Sequence, residues 1–437
     1  IWFGGPGPKT NDKAVMQMNK TGFSPADILI PREADMTRWS VVACDQYTSE
    51  PEYWERVARE VGDAPSTLDM ILPEVYLDEK EAGARIPRIN AAMRRYLDEG
   101  LFRTLPESYV YLQRTLAPGK VRQGLVGKLD LEEYEYGAGS QSLVRPTEGT
   151  VESRLPPRIR VREDAPLESP HIMVLIDDPG RTVIEPLRAR TGSLPRLYDF
   201  ELMEGGGRIC GWRVTGPEAA RVDEAFGALA EKLGDYSARF PGKRPLLIAV
   251  GDGNHSLATA KACWERLKKT LPEEQRETHP ARYALVELVN VHDEALEFEP
   301  IHRILFGVDP DQVLRELQGY YDTGEDAVGG QSFEYVCGSR RGRLYVANPS
   351  SQLAAGTLQN FIDWYLGRFG GKVDYIHGEQ VVEHLCKSPG TIGFLLPVMK
   401  KSQLFPTVLL DGALPRKTFS MGHAHEKRYY LECRAIR

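Results

Sequence analysis

The clearest pattern along the chain is an apolar run that ends in a glycine-rich polar turn. Residues 245–250 read Pro-Leu-Leu-Ile-Ala-Val, which predicts a buried strand. The next six residues are Gly251-Asp252-Gly253-Asn254-His255-Ser256, and two glycines so close together predict a tight turn. Beyond the turn, apolar residues at helical spacing predict an amphipathic helix: Leu257, Ala260, Trp264 and Leu267.

The rest of the chain predicts helices and strands that do not alternate strictly. This mixture indicates an α+β or mixed-sheet α/β protein rather than a regular doubly wound fold. Helices are predicted over residues 50–61, 86–101, 217–233, 310–319, 359–369 and 377–385. Strands are predicted over 109–115, 122–129, 171–176, 284–291, 344–347, 392–396 and 429–433.

Length and composition indicate a globular protein of two integrated lobes. The 437 residues exceed one ordinary domain, and 41% of them are hydrophobic and 27% charged. We expect residues 1–20 to be a leader or an added extension outside the fold, with Met18 as a candidate start. An N-terminal α/β lobe is expected over 21–235, and a C-terminal lobe carrying the glycine turn over 236–437.

The net charge and the cysteine pattern limit the classes of partner and the cellular compartment that the sequence allows. A formal net charge of −7 argues against a general nucleic-acid or membrane-surface binder. No apolar run approaches the roughly 20 residues of a membrane helix. Six scattered cysteines without a C-x-x-C pair predict free thiols in a reducing cytoplasm. A small-molecule partner is therefore expected.

The glycine turn is the strongest candidate site. A helix N-terminus that follows a strand and a glycine turn attracts anions through its backbone N–H groups and the helix dipole. Asp252, His255 and Ser256 add a carboxylate, an imidazole and a hydroxyl. The alternative is an ordinary strand-to-helix turn with an asparagine cap. We favour a site, because a cap alone needs no carboxylate and histidine beside it.

A second polar cluster, Cys44-Asp45-Gln46, follows an apolar segment. Asp45 and Gln46 are expected to line a substrate pocket, although Thr48 or Ser49 alternatively caps the next helix. Cys44 is a weak candidate for a nucleophile, because no histidine neighbours it in the sequence.

Further candidates lie at Arg145 and Glu148, since arginine suits phosphate or carboxylate recognition. The arginines between 154 and 162 are assigned to structure or surface. His302 and Arg303 follow a predicted strand, where a histidine is structural about as often as catalytic. The His423-x-His425 spacing is interpreted as a polar turn, and no metal ligands are predicted.

Together these motifs resemble the DUF1015 family over nearly all of the chain from Phe23 onward. The glycine turn stands where the family typically has Asp-Gly-His-His-Arg. The remaining marks, in order, are Arg145-x-x-Glu148-x-Thr150, Ser169-Pro170 leading to Asp177-Asp178-Pro179, Pro300-x-His302-Arg303, and Leu414 to Phe419 with Lys417.

This chain departs from the family pattern at Asn254 and Ser256, which replace a histidine and an arginine. The usual pattern is similar to the phosphate loop of the ParB/sulfiredoxin-like superfamily, which includes free-serine kinases. Loss of the arginine removes a phosphate-binding fork. The resemblance nevertheless implies a ParB/sulfiredoxin-like strand-turn-helix element, and it points to serine or phosphoserine as substrate.

The sequence thus favours phosphoryl transfer on a small hydroxy amino acid or its phosphate, by a kinase-like or phosphatase-like enzyme. A non-enzymatic nucleotide or metabolite sensor is the alternative, and a nuclease or DNA-partitioning role is a poorer third. ATP or ADP and Mg²⁺ are the expected cofactors. The expected catalytic residues are Asp252, His255, Glu148 and His302; the expected binding residues are Gly251, Gly253, Asn254, Ser256, Arg145, Arg303, Asp45, Gln46 and Lys417. We expect these distant segments to converge on one site.

Overall fold

A computed structural model describes residues 21–77, 82–233, 240–324, 330–415 and 417–437. They form two compact units. Unit 1 comprises the chain up to Pro146, Thr150–Leu296 and His423–Arg437; unit 2 comprises Thr147–Gly149 and Glu297–Gly422. The boundary expected at 235 and 236 lies inside unit 1, because the strand that follows it joins the sheet of that unit. The extension expected at residues 1–20 lies outside the described residues.

The described strands are numbered in chain order. They are β1 Phe23–Ser24, β2 Ala26–Pro31, β3 Phe102–Ala117, β4 Lys120–Asp130, β5 Val144–Pro146, β6 Leu167–Glu168, β7 Met173–Ile176, β8 Arg196–Glu201, β9 Arg208–Val214, β10 Ile248–Asp252, β11 Tyr283–Asn290, β12 Phe298–Phe306, β13 Thr323–Gly324, β14 Gln331–Cys337, β15 Arg340–Val346, β16 Lys372–His377, β17 Thr391–Leu395, β18 Phe419–Met421 and β19 Arg434–Ala435.

The described α-helices are numbered in the same way. They are α1 Met36–Trp39, α2 Pro51–Val61, α3 Ala82–Asp98, α4 Leu155–Arg162, α5 Gly216–Lys232, α6 Asn254–Leu267, α7 Glu273–Arg276, α8 Pro310–Tyr320, α9 Ala354–Phe369, α10 Glu379–Leu385 and α11 Leu404–Asp411.

Unit 1 is built on a ten-stranded sheet with the order β5-β10-β7-β11-β4-β3-β9-β8, in which β1 also pairs with β4 and β2 with β3. Strand β10 runs parallel to β5 and antiparallel to β7, and β11 runs parallel to β7. Strands β6 and β19 form a separate antiparallel pair. The combination of parallel and antiparallel pairs with interspersed helices confirms the mixed α/β class expected from the sequence.

The core of unit 1 explains the apolar run before the glycine turn. Strand β10 has a neighbouring strand on each side, and Ile248, Ala249 and Val250 are all fully buried. A strand buried on both faces needs a continuous rather than an alternating apolar pattern. From α6, Leu257, Ala260 and Trp264 enter the same core, whereas Leu267 is only half-buried. The predicted strand, turn and helix are therefore confirmed.

Unit 2 is built on a seven-stranded antiparallel sheet with the order β13-β15-β14-β17-β12-β16, and β18 also pairs with β12. Helix α9 supplies Leu358 and Phe361 to a core that also contains Ile392 and Phe394 of β17. Strand β12 is an interior strand of this sheet, between the edge strand β16 and β17.

Two local predictions need correction. Residues 429–433 form isolated bridges at Tyr429 and Cys433 rather than a strand. Side chains satisfy some of the main chain there: Trp39 Nε1 donates to the Leu431 carbonyl at 2.9 Å, and Ser169 Oγ to the Glu432 carbonyl at 3.1 Å. The pair His302-Arg303 lies within β12 rather than after a strand, because both of its residues continue the ladders with β16.

Candidate functional site

The turn between β10 and α6, residues 251–256, is shaped by its glycines. The pairing of β10 with β7 shifts between Val250 and Asp252, which places Gly251 at a bulge. Gly253 has a φ of +75°, and a Cβ there would lie 3.0 Å from the Cα of Ile172. Both the left-handed conformation and the close backbone approach therefore require glycine at 253.

Helix α6 begins at this turn without a side-chain cap. Gly253 holds the cap position, and the carboxylate of Asp252 accepts from the Gly253 N–H at 3.0 Å. The asparagine is not the cap: Asn254 is 8% exposed, and its Oδ1 has no hydrogen-bond partner among the described residues. An uncapped helix N-terminus beside a buried amide is suited to bind an anion.

A lysine from the C-terminal segment joins the turn. Lys427 Nζ lies 3.2 Å from Asp252 Oδ2, and both side chains are largely buried. The charge of Lys427 also lowers the pKa of Asp45. Lys427 therefore links the carboxylate at the glycine turn to the carboxylate of the Cys44-Asp45-Gln46 loop.

Asp45 is held as a carboxylate. Its Oδ1 accepts from Gln46 Nε2 at 3.0 Å, and its Oδ2 lies 3.7 Å from Nε2 of His171. Burial disfavours the charged form, but His171, Gln46 and Lys427 outweigh it and lower the pKa of Asp45. Asp45 is consequently ionised at neutral pH.

His171 is the centre of this network. Its Nε2 lies 3.2 Å from Ser256 Oγ, the hydroxyl in the first turn of α6, and its Nδ1 lies 2.7 Å from the Tyr430 hydroxyl. The Tyr430 oxygen also accepts from the Cys44 N–H at 3.2 Å. The imidazole thus connects the start of α6, the Asp45 loop and the C-terminal segment within unit 1.

The two ring nitrogens of His171 have different neighbours. Nδ1 faces the Tyr430 hydroxyl, and Nε2 faces Ser256 and Asp45. In a Ser-His-Asp triad the carboxylate instead holds Nδ1. The arrangement is therefore not a serine-hydrolase triad.

Cys44 is unsuited to nucleophilic catalysis. Burial, followed by the negative charges of Asp45 and Glu74, raises the pKa of its thiol well above the ordinary value. A thiol that stays protonated is a poor nucleophile, even with His171 in the same network.

A cavity of about 150 Å³, here called the His171 cavity, adjoins the network. His171, Ser256, Tyr430 and Cys44 line one part of it, and aliphatic side chains from several elements line much of the rest. The ion-paired side chains of Glu74 and Arg158 also contribute to its wall. Burial raises the pKa of Glu74 despite the opposing charge of Arg158.

Two predicted residues of unit 1 serve the main chain. Nε2 of His255 accepts from the Val151 N–H at 3.3 Å, which fixes the ring against the loop after β5. Arg145 donates to the carbonyls of Ser142, Arg244 and Pro245 at 2.8, 2.9 and 3.0 Å. Arg145 thereby ties the segment before β5 to the segment before β10, and burial lowers its pKa.

Four predicted residues belong to unit 2, and three of them, Glu148, Arg303 and Lys417, are linked by hydrogen bonds; the fourth is His302. Glu148 Oε1 accepts from the Lys417 N–H at 3.1 Å, and Lys417 has a φ of +54°. Arg303 donates to the carbonyls of Ile301 and Lys417 at 2.6 and 2.8 Å and to Gln359 Oε1 at 3.2 Å.

The Arg303 guanidinium also lies over the ring of Tyr375, 4.8 Å from its centre, and burial lowers its pKa to about 10. His302 Nδ1 accepts from the Leu396 N–H at 3.1 Å, and burial lowers its pKa, which favours the neutral ring. These side chains mainly hold backbone in place.

Sequence reasoning missed several residues of the network. His171 directly follows the Ser169-Pro170 motif, which was a usable signal. Arg158 lay in an arginine run assigned to structure or surface. Tyr430 and Lys427 had no local signal, since they reach the site only through the tertiary fold.

The described ranges show neither a metal-holding cluster nor a membrane-crossing helix. They contain no group of three or more His, Cys, Asp or Glu side chains placed to hold a metal ion. None of their helices combines the length and apolar character that crossing a membrane requires.

The fold and the site define a mixed α/β protein in which an uncapped helix N-terminus meets a buried carboxylate, an imidazole and a lysine. The profile of the DUF1015 family, "Protein of unknown function (DUF1015)", matches residues 25–385. The chain belongs to this family, as its motifs predicted.

Several solved structures are similar to the chain at low identity. Free serine kinase, as a mutant in complex with ADP, matches with 10% identity and a TM-score of 0.38, over 70% of this chain and 90% of its own. SbnI from Staphylococcus aureus, truncated at the C-terminus, matches with 10% identity and a TM-score of 0.35, over 68% and 83% of the two chains. TM-scores this low do not establish a shared fold. A search of the curated proteins finds no match.

Proposed function

We propose that the protein transfers a phosphoryl group to a small hydroxylated compound, or from its phosphate ester, at the β10–α6 turn. The supporting observation is the meeting of an uncapped helix N-terminus with Lys427, Asp45 and His171. Serine and phosphoserine, to which the sequence resemblance points, belong to this substrate class.

In this proposal the backbone N–H groups of the first turn of α6 hold the phosphoryl group, and Lys427 neutralises part of its charge. Asp45 is the proton acceptor, because it is ionised and shares the Nε2 atom of His171 with Ser256. The substrate oxygen bonds to phosphorus as the bond from phosphorus to the leaving oxygen breaks, and the hydroxyl proton passes to Asp45. His171 positions Asp45 and Ser256.

The phosphoryl donor in this proposal is a nucleotide with Mg²⁺ on its phosphates. Mg²⁺ bound to substrate phosphates needs only one or two protein carboxylates, and Asp252 at the turn is the residue that would hold it. When bound, Mg²⁺ would neutralise phosphate charge. Asp252 and His255 were the bases expected from the sequence; their bonds to Lys427 and the Val151 N–H favour charge balance and loop positioning instead.

The test is a turnover assay on the full chain. ATP or ADP, Mg²⁺ and a panel of hydroxylated compounds are incubated with the protein and followed by phosphorus NMR; phosphate esters test the reverse direction. We expect transfer in at least one direction. Asp309→Asn, which alters an exposed cap in unit 2, is a control that should retain activity.

A binding role without turnover is the second candidate. It is favoured by the contacts of His171, whose two ring nitrogens already face Tyr430 and Ser256 at hydrogen-bond distance. Binding of phosphate at the turn without transfer in either direction would contradict the enzyme and support the sensor.

A further inference from the structure

The His171 cavity is lined mainly by apolar side chains around a small polar patch. Met70, Ile71 and Leu72 come from one segment, Met93 from α3 and Val161 from α4. These residues pack in the cores of unit 1 and leave a partly open apolar space between them. Such pockets, with few polar groups, are typical of small-molecule sites.

The charged side chains in the wall are already paired. Glu74 is ion-paired with Arg158, and Arg162 Nη2 lies 2.6 Å from Glu168 Oε2. Glu168 is further held by Arg434 at 2.7 Å. The cavity therefore presents no isolated charge to a ligand, and its affinity for an apolar group is not offset by an unpaired buried ion.

The first two turns of α6 contribute to one wall of the cavity. Ser256 and Thr259 are three residues apart on this helix and both line the space, as does His171. A group reacting at the start of α6 thus has the cavity directly beside it.

We propose that the substrate of this site carries an apolar group about the size of a six-membered ring next to its hydroxyl or phosphate, and that this group fills the His171 cavity. The inference rests on the proposed phosphoryl transfer. The cavity measures about 150 Å³. An engineered cavity of about 150 Å³ lined by aliphatic and aromatic side chains binds benzene. The hydroxymethyl group of serine would leave most of this space empty and forgo its dispersion contacts.

Binding of three simple probes tests the proposal on the full chain: benzyl phosphate, O-phosphoserine and inorganic phosphate. Calorimetry should give benzyl phosphate at least about a tenfold lower Kd than either of the other two, because its ring is removed from water. Equal affinities for all three would overturn the assignment.

Two substitutions at one wall residue sharpen the test. Val161→Phe should raise the Kd for benzyl phosphate to that for inorganic phosphate, and should leave inorganic phosphate binding unchanged. Val161→Leu, a smaller change, covers the case in which the phenylalanine variant does not fold, and should weaken benzyl phosphate binding severalfold. Val381→Phe, at an exposed valine of α10, is the matched control and should change nothing. Unchanged benzyl phosphate binding in both Val161 variants contradicts the proposal.

Two more probes, AMP and benzyl alcohol, distinguish failure of the cavity inference from failure of the phosphoryl-transfer proposal. If Val161→Phe weakens AMP binding and spares benzyl phosphate, a nucleotide base occupies the cavity and the inference is wrong. If benzyl alcohol binds and Val161→Phe abolishes this while no phosphate compound binds, the phosphoryl-transfer proposal fails although the cavity does accept an apolar ring.

Discussion

The polar network around His171 in unit 1 and the predicted polar residues of unit 2 have different kinds of binding partner. In unit 1, Asp45, His171 and Ser256 bind mainly to one another, around a cavity and an open helix end. In unit 2, Arg303 and His302 bind carbonyl and N–H groups of the main chain. A side chain committed to the backbone is fixed by the fold, whereas a network of side chains beside a cavity can exchange partners with a ligand. The comparison favours unit 1 as the place of chemistry.

The largest effect is expected from Asp45→Asn. The amide keeps the shape of the side chain and its bond with Gln46 but removes the base. Loss of a general base costs roughly 10²–10⁴-fold in turnover. We expect that loss in kcat, with a melting temperature within a few degrees of the wild type.

The measurement is a kinetic assay beside a thermal melt. Retention of full kcat in folded Asp45→Asn would remove Asp45 from the mechanism. It would also remove the reason to place the reaction in unit 1 rather than in unit 2.

Arg303→Met should lower the stability of the fold rather than change the reaction. Its loss leaves the Ile301 and Lys417 carbonyls and Gln359 without their donor, at about 1–3 kcal/mol for each unpaired buried group. We expect unfolding by urea to become easier by about 3–5 kcal/mol. Arg343→Met, which breaks an exposed pair with Glu334, is the control and should cost less than about 1 kcal/mol.

Phosphate binding by folded Arg303→Met shows whether Arg303 supports the main chain or binds a ligand. Unchanged affinity agrees with a main-chain role for Arg303. A large loss of affinity would return Arg303 to the phosphate-binding role expected from the sequence.

Gly253→Ala should moderately reduce both the stability of the fold and the affinity for phosphate. The left-handed φ costs about 1 kcal/mol for a residue with a side chain, and the added Cβ approaches the Ile172 backbone. We expect a loss of about 1–2 kcal/mol in stability, with weaker phosphate binding because the start of α6 must shift. Gly412→Ala has a similar φ of +84° and open space around it, so it should lose stability and keep phosphate affinity. Equal phosphate affinities in the two variants would contradict an anion site at α6.

The smallest effect concerns pH and His302. Burial lowers its pKa in the folded state, so the unfolded chain takes up the proton first as pH falls. Stability is therefore lost as pH drops below the ordinary histidine pKa of about 6.5, by at most about 1.4 kcal/mol per pH unit. His302→Asn should flatten this slope, measured by urea unfolding at several pH values. An unchanged slope in His302→Asn would contradict the assignment.

The strand, turn and helix of the site were predictable because their signals are local. The apolar run of β10 and the spacing of Leu257, Ala260 and Trp264 each lie within a few residues. His171 and Tyr430 were not predictable as partners, because they are 259 residues apart in the chain. Arg145 and Arg303 show a different limit of sequence reasoning. An arginine in a motif is recognisable as a hydrogen-bond donor, but the sequence does not tell whether a ligand or the backbone accepts from it.

The order of the chain has a consequence for synthesis on the ribosome. Lys427 and Tyr430 complete the unit 1 network, yet they belong to His423–Arg437, which follows Glu297–Gly422 of unit 2. A nascent chain that ends at residue 422 therefore has the glycine turn, Asp45 and His171 but lacks both partners. The N-terminus of α6 is synthesised before Lys427, so the network can close only after the whole of unit 2 has been made.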